Sequence, residues 1–103
     1  MSYTVSFTAE ALEDLTRIED FLIELALQHA DYGLPARALD AIRSEFSILQ
    51  RNPYTCRVAE TNPLERELII PFGGSGYVAL FEIVSEGEVV VSALRHQRED
   101  DFQ

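Results

Sequence analysis

A chain of 103 residues with 47% hydrophobic content and no Trp is sized for one domain, residues 1–103, around a single buried core. Eighteen acids stand against eight Arg and no Lys, a net charge of −10. That balance argues against direct binding to nucleic acid, where affinity comes largely from neutralised phosphates. The single Cys56 cannot form an internal disulfide, no run reaches about 18 apolar residues, and Met1-Ser2-Tyr3-Thr4 lacks a signal region. A cytoplasmic protein without a membrane association is the expectation.

Tyr3-Thr4-Val5-Ser6-Phe7 alternates apolar with small polar residues, as a strand with one buried face does. Thr8 can cap a helix whose first turns carry Glu10, Glu13 and Asp14, where the helix dipole favours negative charge. Ala11, Leu15, Ile18, Leu22 and Leu25 recur at helical spacing and predict the buried stripe, with Gly33 as the stop. A second helix is predicted from about Pro35 to Arg51, with Leu39, Ile42, Phe46 and Leu49 inward. Asn52-Pro53 ends it, because the residue before a proline is pushed out of the helical region. Two such helices joined by a few residues pack as a hairpin.

An irregular stretch from Tyr54 to about Leu64 leads into three strands: Arg66 to Phe72, Tyr77 to Val84, and Val89 to Leu94. Gly73-Gly74-Ser75-Gly76 and Ser85-Glu86-Gly87-Glu88 are the turns of an antiparallel meander. Tyr77 to Val84 is nearly all apolar, which predicts a strand covered on both sides. The fold class is therefore α+β, in the order β-α-α-β-β-β, with the helix hairpin packed on an antiparallel sheet. Leu15, Ile18, Leu22, Ile42, Phe46, Leu80 and Val91 are the expected core.

The last predicted strand turns abruptly polar and places Arg95, His96 and Arg98 within four residues. A buried strand ending in hydrogen-bonding groups is a rigid platform for a polar tip. The alternative is a solvated strand end on which these residues pair with Glu99, Asp100 and Asp101. Arg66, between Glu65 and Glu67, reads as a surface ion-pair member. No His or Cys cluster has metal-ligand spacing, and the glycine turn lacks the Lys and following helix of a phosphate loop. No metal and no cofactor are expected.

Arg66-Glu67-Leu68, then Gly76-Tyr77-Val78-Ala79-Leu80-Phe81-Glu82-Ile83, then Val89-Val90-Val91 and Ala93-Leu94-Arg95-His96-Gln97-Arg98-Glu99 resemble the RelE/ParE family of small bacterial toxins, with the ParE branch nearer. The resemblance implies a growth-inhibiting toxin of a type II toxin–antitoxin or plasmid-stabilisation module, held silent by a cognate antitoxin that wraps across its surface. ParE-like members are held to poison DNA gyrase, and RelE-like members to cut messenger RNA in the ribosome.

RNA cleavage without a metal needs a base, an acid, and cations around the phosphate. The resemblance implies that ribonuclease members draw these from Lys and Arg on the sheet and a terminal His or Tyr. Here Val78 and Ala79 follow Tyr77, Phe102 has no hydroxyl, and what remains is Arg57, Arg66, Arg95, His96 and Arg98, of which Arg66, Arg95 and His96 are the catalytic candidates. Arg66 and Arg95 open and close strands, and convergence at one end of the sheet would make such a site. The expectation is instead a protein-binding toxin that contacts its target or antitoxin through Arg95, His96, Arg98 and Phe102. The alternatives are a ribosome-dependent endoribonuclease and a degenerate relative that only binds its antitoxin. So acidic a chain predicts a basic or apolar antitoxin segment, in contact with the helix hairpin and an open sheet edge.

Overall fold

The computed structural model describes residues 2–97. Its elements are β1 (Thr4–Phe7), α1 (Ala9–His29), α2 (Leu34–Arg51), a 3-10 turn at Pro53–Thr55, β2 (Arg57–Val58), β3 (Arg66–Phe72), β4 (Ser75–Ser85) and β5 (Glu88–His96). Thr8 caps α1 by accepting the Ala11 N–H at 3.1 Å on its hydroxyl oxygen. The helix ends earlier than the glycine suggested. Ala30 takes the left-handed conformation at φ 53°, and the N–H groups of Ala30 and Asp31 both return to the Ala26 carbonyl. Gly33 instead precedes α2 at φ −86°, a conformation open to any residue, and Pro35 occupies the first turn of that helix.

The five strands form one sheet in the order β1-β5-β4-β3-β2. β3, β4 and β5 are the expected meander, and β1 joins the far side of β5 in parallel, the two helices making the crossover such a pair requires. The stretch read as irregular contributes β2, whose Arg57 and Val58 pair with Glu67 and Arg66. Two residues are too few for an alternating pattern to register in a sequence.

Both helices lie on one face of the sheet. Ala11, Ile18 and Leu22 of α1 and Ala38, Ile42 and Leu49 of α2 meet Leu68, Ile70, Tyr77, Ala79, Phe81, Val89, Val91 and Leu94 in one cluster. Leu15 and Phe46 are half-buried at its rim, not in its centre, and Phe46 packs on Phe7 with ring centroids 5.4 Å apart. Leu80 corrects the reading of β4 as covered on both sides. Val78, Leu80 and Glu82 alternate with the core residues and point away from the helices, so Leu80 is only half-buried.

A bulge sets the end of β5. Phe81 is opposite Val91 while Leu80 is opposite Ala93, so Ser92 is the extra residue. Val91 and Leu94, three positions apart, are both fully buried, which an unbulged strand of period two does not allow. The Ser92 hydroxyl donates to Glu65 Oε2 at 2.9 Å, fastening the bulge to the loop ahead of β3.

Candidate functional site

The bulge determines where the polar tip points. Leu94 faces the core, so Arg95 projects from the open face of the sheet and His96 from the helix-covered face. His96 lies opposite Tyr77 with the rings edge to face, centroids 5.4 Å apart, and its Nε2 is 3.1 Å from the Ser75 hydroxyl. Tyr77 stacks in turn on Phe72 at 6.4 Å. Burial pushes the Tyr77 phenol above its ordinary range, so the ring beside His96 is neutral at physiological pH.

Arg66 does not join them. It opens β3 opposite Phe81, whereas His96 is level with Tyr77, four residues further along β4. At about 3.3 Å per residue that is roughly 13 Å along the strands, before the two-strand lateral step is added. Arg66 also shares the covered face with Leu68 and Ile70, the face opposite to that of Arg95. Its Nη1 donates to the Cys56 carbonyl at 2.7 Å and the Tyr54 carbonyl at 3.4 Å, and its guanidinium carbon stands 5.2 Å from the centre of the Tyr54 ring. Arg66 thus fastens the 3-10 turn to the sheet in place of the ion pair that its acidic neighbours suggested. Burial pushes the adjacent Cys56 thiol up, with Arg66 pulling the other way.

The open face carries Ile69, Leu80, Val90 and Ala93, all half-buried, and the buried Val78, with Arg95 and Glu82 among them. Arg57 on β2 is bound to Glu67 at 2.7 Å, so that cation is already matched by a carboxylate. Among the described residues, the cations on this face of the sheet are Arg95 and the paired Arg57. Arg98 and Phe102 lie outside the described residues. Among the described residues, no three His, Cys, Asp or Glu are grouped to hold a metal, and no helix is long and apolar enough to cross a membrane.

The sheet edges are defended. β1 stops at Phe7 and covers only Glu88–Val91 of β5. Beyond it the Thr8 hydroxyl donates to the Ser92 carbonyl at 3.4 Å, and Asp14 Oδ2 accepts the Leu94 N–H at 3.0 Å. On β3 the Ala59 N–H bonds the Glu65 carbonyl, so by alternation Ile69 and Pro71 turn their backbone groups to the free side. Pro71 has no N–H to offer there. These side-chain caps escape a sequence reading because they join residues far apart in the chain. The only local sign was a proline in the middle of an apolar run.

A second surface was legible in part. α1 buries Ala11, Ile18, Leu22 and Ala26, yet Leu12, Ile23 and Leu27 are exposed on its outer side. They make a second apolar row on a helix otherwise rich in acids, and counting apolar residues off the buried stripe would have found it.

No curated protein matches the chain in sequence. Among solved structures, the chain is similar to one described as the chromosomal ParDE toxin–antitoxin system from P. aeruginosa, with a TM-score of 0.73. The alignment covers 92% of this chain and 96% of that one at 18% identity, a likeness of fold. The family model described as the ParE toxin of the type II toxin–antitoxin system parDE matches residues 5–101. Spanned by that model almost end to end and built on the same two-helix, five-strand plan, the chain belongs to the ParE toxin family of type II toxin–antitoxin systems.

Proposed function

We propose that this ParE-family toxin arrests growth by binding DNA gyrase, and that a cognate antitoxin neutralises it by occupying its surface. The observation that carries the reading is the separation of Arg66, Arg95 and His96. Cleavage of an RNA phosphodiester needs its base, acid and cations around one phosphate. Here Arg66 is held by two carbonyls on the covered face, and Arg95 projects from the opposite face. An apolar sheet face carrying Arg95 is better suited to a protein surface than to a polyanion, and the net charge of −10 acts in the same direction.

The test pairs two assays of the purified protein. Expected is inhibition of gyrase supercoiling that is relieved by stoichiometric antitoxin. Ribosome-dependent cleavage of messenger RNA, with supercoiling unaffected, would establish the endoribonuclease alternative. Absence of growth arrest on induction without antitoxin would indicate a relative that only binds its partner.

A further inference from the structure

We propose that Glu65 is a positioning residue: by holding the bulge at Ser92 it keeps Arg95 on the open face of the sheet, where the toxin would meet its target. Only the last clause rests on the function proposed above. The Ser92 hydroxyl donates to Glu65 Oε2 at 2.9 Å and reaches the Leu80 carbonyl only at 3.4 Å, so the carboxylate is its main acceptor. Glu65 stands one residue before β3 and Ser92 lies on β5, so the contact passes over β4, the strand between them. A side chain that spans a strand in this way has to be aimed, and the backbone aims it. The Glu65 N–H donates to the Asn62 carbonyl at 3.0 Å and its carbonyl accepts the Ala59 N–H at 2.8 Å, which fixes the residue on both sides of its Cα.

The bulge is clamped from two directions. On the β1 side the Thr8 N–H donates to the Val91 carbonyl at 3.0 Å, its hydroxyl to the Ser92 carbonyl at 3.4 Å, and Asp14 takes the Leu94 N–H at 3.0 Å. Those contacts hold the backbone, whereas Glu65 holds the Ser92 side chain from across β4. The residues that follow depend on the clamp: Leu94 is opposite Ala79 and Arg95 opposite Val78. An unbulged strand would turn Leu94 to the open side and Arg95 beneath the helices, at the cost of burying a charge. Loss of the tie need not close the bulge; it loosens the residues just beyond it, and Arg95 loses its fixed direction. The neighbouring Arg66 donates to the Tyr54 and Cys56 carbonyls, so two adjacent residues do separate jobs, one holding the 3-10 turn and the other the bulge.

The test compares Glu65→Ala, Glu65→Gln, Ser92→Ala and the double alanine variant of the full chain, with Arg66→Ala as a control. Leu94 turns its N–H outward to Asp14, so by alternation those of Ala93 and Arg95 face β4 and report the pairing. Amide exchange at Ala93 and Arg95, taken relative to amides of the β3–β4 ladder that follow global unfolding, should rise about tenfold or more in Glu65→Ala. That is the factor carried by one hydrogen bond to a charged group. Ser92→Ala removes a single hydroxyl and should act alike, which keeps the test open should Glu65→Ala fail to fold. The double variant should be no faster than either single one, and Glu65→Gln, which keeps an acceptor, should recover most of the loss. Arg66→Ala should leave the ratio at its wild-type value. The concentration for half-inhibition of gyrase supercoiling, counted per folded molecule, should rise in step with the exchange.

A wild-type exchange ratio at Ala93 and Arg95 in folded Glu65→Ala or Ser92→Ala overturns the proposal. So does a double variant whose loss is the product of the two single losses, since the residues would then act separately. Faster exchange with gyrase inhibition unchanged per folded molecule keeps Glu65 as the residue that positions Arg95 and removes Arg95 from the target contact, so the two failures are told apart.

Discussion

Asp14 of α1 accepts the backbone N–H of Leu94 at 3.0 Å, a carboxylate standing where a neighbouring strand would otherwise donate its carbonyl. The contact exists because the chain leaves β1 for α1 at Thr8, one strand-length before β5 ends. A charged acceptor on a partly buried N–H contributes about 1.5–3 kcal/mol, and removing it leaves the donor unmatched. Asp14→Ala should therefore lower stability by roughly that amount in denaturant titration, with Asp14→Asn recovering most of it. Amide exchange at Leu94 should accelerate in the alanine variant, and an unchanged rate would show that water satisfies this edge just as well.

The glycines of the β3–β4 hairpin differ in what they permit. A Cβ on Gly76 would come within 2.2 Å of the Ile70 carbonyl oxygen, which cannot move without breaking the ladder. Gly73 sits at φ +61°, whereas a Cβ on Gly74 meets nothing. Gly76→Ala should cost more than about 2 kcal/mol and disturb the hairpin register. Gly73→Ala should cost about 1–2 kcal/mol through its left-handed backbone alone. Gly74→Ala should be neutral or slightly stabilising, since it restricts the unfolded chain. Equal melting temperatures for the three would contradict the close approach at Gly76.

Two phenylalanines separate core from rim. Phe81 is fully buried at the centre of the sheet, and Phe46 is half-buried against Phe7. Phe81→Ala should cost about 3–5 kcal/mol, a large share of the stability of a domain this size, because a close-packed core leaves a cavity. Phe46→Ala should cost about half as much, its ring having less apolar surface to lose. The midpoint of urea unfolding at constant slope reads the difference directly.

The α1–α2 connection carries a pH signature. Arg37 Nη2 stands 2.6 Å from Asp31 Oδ2, and that hydrogen bond holds the Asp31 carboxyl below its ordinary value of 3.8. A carboxylate depressed on folding contributes stability that is complete above the unfolded value and disappears as pH falls through the folded one. The contribution is thus lost only below about pH 4, and it is small because the pair is exposed. Carboxyl NMR should place the Asp31 midpoint below that of an unpaired aspartate, and Arg37→Gln should return it to the ordinary range.

How far the sequence reached depends on the distance over which each feature is encoded. α1, α2 and the β3–β4–β5 meander were legible because caps, turns and periodicity are local: Thr8, Asn52-Pro53 and the glycine turn each act within a few residues. In β4 the nearly unbroken apolar run hid that Leu80 lies on the open face, and in β5 the alternation held only up to Ser92. The bulge there is fastened by Glu65 and Leu80, and it decides which of Arg95 and His96 faces the helices and which the open side. Arg66 was misjudged for a related reason. Its acidic neighbours in the chain suggested an ion pair, while the groups it binds, the carbonyls of Tyr54 and Cys56, carry no side-chain signal.

The placement of the two arginines makes toxicity itself diagnostic. Arg95 is exposed on the open face, so Arg95→Glu should leave the melting temperature within a few degrees of wild type. In a protein-binding toxin the same change should abolish growth arrest, because it reverses the charge at the proposed contact. Arg66→Ala should do the opposite. Losing the bonds to the Tyr54 and Cys56 carbonyls should cost about 1.5–3 kcal/mol, a fall of roughly 6 °C or more for a domain of this size, with toxicity declining only as the folded fraction declines. Induction at a lower temperature should therefore rescue Arg66→Ala but not Arg95→Glu. If Arg66→Ala instead abolishes arrest while its melt stays at the wild-type value, the guanidinium acts on a substrate, and the chain is a nuclease after all.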